Sequence, residues 1–146
     1  MDAIDAKIIA VLKENSRAAT SEISKKVNLS IPAVAERIRK MEESGFIEAY
    51  TIKINRKKAR ENLLAFIFIT LDRTEHIAVF KQAALQLGSV LEIHHVAGEY
   101  DYLLKVLVAD PESLEDFISN QLKMIKGVIR SNTIIALSSL KENINL

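Results

Sequence analysis

The chain has 146 residues, no cysteine, 49% hydrophobic residues and a formal charge of +1 at neutral pH. That excludes a disulfide framework and a thiolate metal site; no apolar run approaches the roughly 20 residues of a membrane span, and the start DAID is not a secretory signal, so the expected compartment is the cytoplasm. Charge is unevenly shared: residues 1–60 carry 13 Lys/Arg against 8 Asp/Glu, a net +5, and the remainder 7 against 11, a net −4. Such asymmetry is expected where one domain meets a polyanion and the other does not.

In chain order, Asp2 is placed to cap a first helix, with Asp5 at its third position and Ile4, Ile8 and Leu12 as the buried stripe beside Ile9. A short second helix follows, with Ile23 and Val27 on one face and a turn at Asn28-Leu29. Ser30 is a good N-cap for a third helix, Pro32 is tolerated in its first turn, and Gly45 stops it. Phe46, Ile47, Tyr50, Ile52 and Ile54 are expected to form wing strands, making residues 1–52 a winged helix-turn-helix. Such a unit presents its second helix to a DNA groove.

Val34, Ile38 and Met41 form the inward stripe of that helix. At about 100° per residue, Pro32, Ala35, Glu36, Arg39 and Lys40 point away from the core, with Ser30 and Arg37 on the flanks near phosphates. Ala33 and Ala35 are small enough to let the helix settle into a major groove about 12 Å wide. The bland alternative is a solvated helix face; the preceding helix and turn favour double-stranded DNA. The run Arg56, Lys57, Lys58 and Arg60 falls in an expected hinge, residues 53–62, as a solvated linker or a further phosphate contact.

From residue 63 onward the period becomes strand-like. Strands are expected at 64–71, 90–97, 102–109 and 129–137, with helices at 75–87 and from Asp110-Pro111 to 122. The order is β-α-β-β-α-β, a ferredoxin-like unit with both helices on one sheet face, so the fold class is α+β. The first strand is apolar on both faces: Ala65, Ile67 and Ile69 oppose Leu64, Phe66 and Phe68. A bare apolar sheet face implies a covering partner, and a second copy gives a homodimer through stacked sheets.

The words DAKIIAVLKENSRAATSEIS, LSIPAVAERIRKMEESGFIEAYTIKIN and VAGEYDYLLKVLV lie in order and span essentially the whole chain. In them the chain resembles the Lrp/AsnC family of bacterial and archaeal transcription regulators. The resemblance implies a DNA-binding domain, a hinge and a C-terminal domain that oligomerises as dimers, then tetramers or octamers. It also implies a small effector, commonly an amino acid, held in a cleft between dimers by the turn before the third strand. That turn is Gly98-Glu99-Tyr100-Asp101. Its amides suit an α-carboxylate and Asp101 an α-ammonium, while hairpin closure alone explains the same residues. Thr133 is carried over as a further effector contact.

No cofactor, metal site or catalytic set is expected. His94 and His95 are adjacent on a strand and point to opposite faces, and no Walker loop, zinc motif or Ser-His-Asp arrangement appears. A ferredoxin-like enzyme using either histidine lacks a convergent polar set. An RNA-binding module of the same topology would stack bases on aromatics of the third strand, which carries only Tyr102.

Overall fold

Helix α1 (Ala3–Glu14) starts on a reciprocal cap. The Asp2 carboxylate accepts from the amides of Ile4 and Asp5 at 2.8 and 2.9 Å, and the Asp5 carboxylate accepts from the Asp2 amide at 2.9 Å. Helix α2 (Thr20–Val27) ends at Asn28, whose φ of 56° is the left-handed conformation that closes the turn. Ser24 braces that turn by donating its hydroxyl to the Leu29 carbonyl at 2.6 Å. Helix α3 (Ile31–Glu43) is capped by Ser30, which accepts from the Ala33 amide, and Gly45 leaves it at φ +73°. Ile8, Val11, Ile23, Val27, Val34 and Met41 are buried together between the three helices.

The computed structural model describes residues 1–143 and contains two units, one built on residues 1–53 and the other on 54–142. The expected wing is not formed. Among the described residues no strand lies between 46 and 55, and Phe46, Tyr50, Ile52 and Ile54 are exposed. The segment has strand-like side chains but no neighbouring segment to complete a ladder, and an unpaired extended chain gains no hydrogen bonds from its pattern.

The second unit opens with one turn, α4 (Arg56–Ala59), capped by Asn55. It continues through β1 (Leu63–Leu71), a 3-10 turn Thr74–His76 leading into α5 (Ile77–Ala84), β2 (Val90–His95), β3 (Tyr102–Val108), α6 (Pro111–Asp116) with a π-type turn Phe117–Leu122, and β4 (Val128–Ala136). The sheet order is β2-β3-β1-β4 with antiparallel pairs throughout. This is the expected β-α-β-β-α-β topology. Ala65, Ile67, Ile69, Tyr102, Leu104 and Val106 face Phe80, Ala84, Leu114, Phe117 and Leu122 in its core.

Gly127 precedes β4 at φ +96°, and a Cβ there would lie 2.4 Å from the Cβ of His76, so only glycine fits. The face away from the helices carries Leu64, Phe66, Phe68, Leu103 and Leu107, mostly half-buried, with Lys105 in their midst. Lys105 pairs with Glu92 at 2.8 Å and lies 4.0 Å from Glu142, which Arg56 holds at 2.7 Å. The apolar face therefore has a charged centre.

Candidate nucleic-acid interface and regulatory turn

With Val34 and Met41 buried and Ile38 half-buried, α3 leaves Ser30, Pro32, Ala35, Glu36, Arg39 and Lys40 exposed, and Ala33 half-buried beside them. These are the side chains expected to face a groove. The structure joins two of them tightly. Glu36 accepts from Arg39 Nε at 2.9 Å and from Nη2 at 2.7 Å, a bidentate pair, while Lys40 stands 3.7 Å from the same carboxylate. Glu43 accepts from the remaining terminal nitrogen, Nη1. Arg39 is held further toward its charged form by Glu36 and then Glu43, and Glu36 below the usual carboxylate range chiefly by Arg39. Glu43 was not among the expected contacts, although its spacing four residues after Arg39 signals a helix ion pair.

Arg37 behaves differently. It is half-buried on the flank, and its Nη1 donates to Asp2 Oδ2 and Asp5 Oδ1, both at 2.7 Å. The arginine thus ties α3 to the first turn of α1. The backbone amide of Asp5 and the Arg37 guanidinium lower the Asp2 carboxyl to about 2. The amide of Asp2 and Arg37 likewise lower Asp5. Arg37 was expected to meet phosphates; in this structure its charge is matched within the protein.

In the second unit the turn 98–101 is closed by the Val96 amide donating to the Asp101 carbonyl at 3.0 Å, and Gly98 takes φ +147°. Asp101 is also a clasp to β1. Its amide donates to the Ile69 carbonyl at 2.9 Å, and its Oδ2 accepts from the Leu71 amide at 2.7 Å. Tyr100 lies on the face away from the helices, its ring 5.0 Å from that of Phe68. Its hydroxyl accepts from Asn132 at 3.2 Å and from Arg130 at 3.3 Å. Arg130 stacks 5.3 Å over the Tyr100 ring and pairs with Glu99 at 3.1 Å. Sequence reading missed Arg130 and Asn132, because the register that pairs Asn132 with Phe68 is not visible in local spacing.

Thr133 does not join this group within one chain. It pairs with the buried Ile67, so alternation puts it on the helix-covered side of the edge strand, opposite Tyr100. The histidines also separate as expected: His94 bonds Glu92 at 3.1 Å, and His95 stacks on Tyr102 with centroids 5.0 Å apart. No group of three metal-ligating side chains occurs among the described residues, and none of their helices is long and apolar enough to cross a membrane.

Comparisons with known proteins agree with this architecture. Residues 64–146 match the Lrp/AsnC ligand binding domain and residues 1–42 the AsnC-type helix-turn-helix domain. The leucine-responsive regulatory proteins of Klebsiella pneumoniae and Escherichia coli are each 33% identical over 145 residues, covering 98% of this chain and 88% of theirs. A transcriptional regulator from Neisseria meningitidis, solved as a complex with L-methionine, superposes with a TM-score of 0.96 at 26% identity, covering 100% of this chain and 96% of that one. An AsnC family regulator from Agrobacterium tumefaciens gives 0.94 at 28% identity, with coverages of 100% and 96%. A helix-turn-helix with an exposed polar helix, joined to a ferredoxin-like sheet along the full length of such relatives, makes this chain a member of the Lrp/AsnC family of transcription regulators.

Proposed function

We propose that α3 enters the major groove through Ser30, Pro32, Ala33, Ala35, Glu36, Arg39 and Lys40, and that Arg37 fixes the angle of the helix from its flank. The observation that carries this is the exposed stripe of α3: small at its start, charged at its end, and opposite a fully buried Val34. Small residues permit close approach and the long polar ones reach base edges. The net +5 of residues 1–60 supplies attraction to phosphates. The same chain pairs with a second copy across the sheet face of Phe66, Phe68, Leu103 and Leu107, presenting two reading helices to two half-sites. Dimers then assemble further, and the protein works in the cytoplasm.

The second unit takes an amino acid at Gly98, Glu99, Tyr100 and Asp101. The amides of Gly98, Glu99 and Tyr100 have no backbone partner among the described residues and suit an α-carboxylate. Asp101 uses Oδ2 for Leu71 and keeps Oδ1 for an α-ammonium. The relative solved with L-methionine supports an amino acid as the class of ligand. Because Thr133 lies on the other sheet face, a site drawing on both takes Thr133 from a neighbouring copy. This agrees with an effector that changes how copies pack and so how the reading helices are spaced.

Selection of duplexes from a randomised pool by the full chain tests the DNA reading. Arg39→Ala should lower affinity for the selected duplex by about 5- to 150-fold and relax preference at one or two base positions. An unchanged set of selected sequences would remove Arg39 from the base-reading surface.

A further inference from the structure

Arg39 has three nitrogens for hydrogen bonding, and the structure engages all of them within one helix. Glu36, three residues earlier, takes the Nε and Nη2 edge at 2.9 and 2.7 Å; Glu43, four residues later, takes Nη1. Counting about 100° per residue from Val34, Ile38 and Met41, Glu36 and Glu43 both lie almost opposite the buried stripe. Both are exposed, as is Arg39. The outward face of α3 therefore carries two cations, Arg39 and Lys40, matched by two carboxylates.

The two carboxylates are not equivalent. Glu36 occupies the side edge of the guanidinium, where it can stay as a buttress while the terminal end turns toward a base. Glu43 occupies the terminal end itself, the part that any DNA acceptor must take. A phosphate offers Nη1 one contact and sits in a field that already repels Glu36 and Glu43. A guanine edge is uncharged and accepts two parallel bonds.

We propose that Glu43 is a specificity-determining residue that withholds Arg39 from the phosphate backbone, so that only a bidentate base edge in the groove draws the guanidinium away. This rests on α3 being the groove-facing helix. In a non-specific complex Arg39 stays with Glu43 and neutralises no phosphate; in the specific complex it leaves.

Glu43→Gln tests this in the full chain, with Glu42→Gln as the control that changes charge equally. Glu42 accepts from Tyr50 at 2.7 Å and not from Arg39. The probes are a random-sequence duplex and the duplex recovered by selection. Glu43→Gln should raise affinity for the random duplex about threefold to fivefold, the range of an exposed ion pair. It should also steepen the salt dependence by about 0.9, one more phosphate. Affinity for the selected duplex should change by less, so the ratio between the two falls. In an Arg39→Gln background the effect of Glu43→Gln should shrink to that of Glu42→Gln. Equal effects of the two glutamine variants, or an undiminished effect without Arg39, would overturn the role of Glu43. A wild-type chain that binds neither duplex at low salt would instead overturn the DNA reading beneath it.

Discussion

The three-helix unit buries Ile8, Val11, Ile23, Val27, Val34 and Met41, whereas the sheet unit closes over a core twice as large, running from Ala65 to Ile125. A domain of fifty-odd residues removes a smaller share of its chain surface from water, so caps and ion pairs carry more of its stability. Here those devices sit on the reading helix itself: Arg37 joins α3 to the start of α1, and Arg39 is bracketed by Glu36 and Glu43. In the sheet unit the core is apolar and self-sufficient, and the polar groups gather at the turn 98–101 and on β4. The difference teaches that charge in the first unit serves folding and reading together, while in the second the two tasks are separated in space.

Ile8→Ala should break that contrast hardest. Ile8 is fully buried, and its truncation costs about 2–5 kcal/mol. That is a large part of what so small a core supplies. Hydrogen exchange should show protection lost across residues 1–53 and retained in the four strands. Loss in both units would mean that they fold as one.

Asp101→Asn sharpens the second half of the comparison. An asparagine carbonyl still accepts from the Leu71 amide, so the clasp to β1 survives and unliganded stability should fall by no more than about 1 kcal/mol. The rise in melting temperature produced by methionine, or by whichever of the twenty amino acids the wild type answers to, should disappear. A variant that keeps its ligand-induced shift would assign the ammonium to another group.

The smallest effect is one of pH. Asp2 and Asp5 have carboxyls lowered in the folded unit, by each other's amides and by Arg37. A group lowered on folding contributes stability above its ordinary range, and that contribution is lost as pH falls toward the folded value. Protection of residues 1–53 should therefore weaken between about pH 4 and pH 2. Arg37→Ala should flatten this dependence, and a pH profile identical to wild type would show that the clasp contributes nothing to folding. The sheet unit has no counterpart on its reading face and serves as the internal reference.

Local pattern alone determined where the elements lie: the 3.6-residue stripe of Val34, Ile38 and Met41, the strand runs of β1 and β3, the caps at Asp2, Ser30 and Asp110, and the stop at Gly45. Each of these is an interaction of a residue with neighbours a few positions away, so spacing reveals it. The Arg39–Glu43 pair belongs to the same class and was legible by its interval. The tertiary structure decided the rest. Arg37 finds Asp2 and Asp5 more than thirty residues away, Thr133 falls on the face opposite Tyr100, Asp101 anchors to β1, and residues 46–55 lack a strand to pair with. These depend on register and on which segments meet, and chain spacing carries no information about either until the core has brought distant segments together.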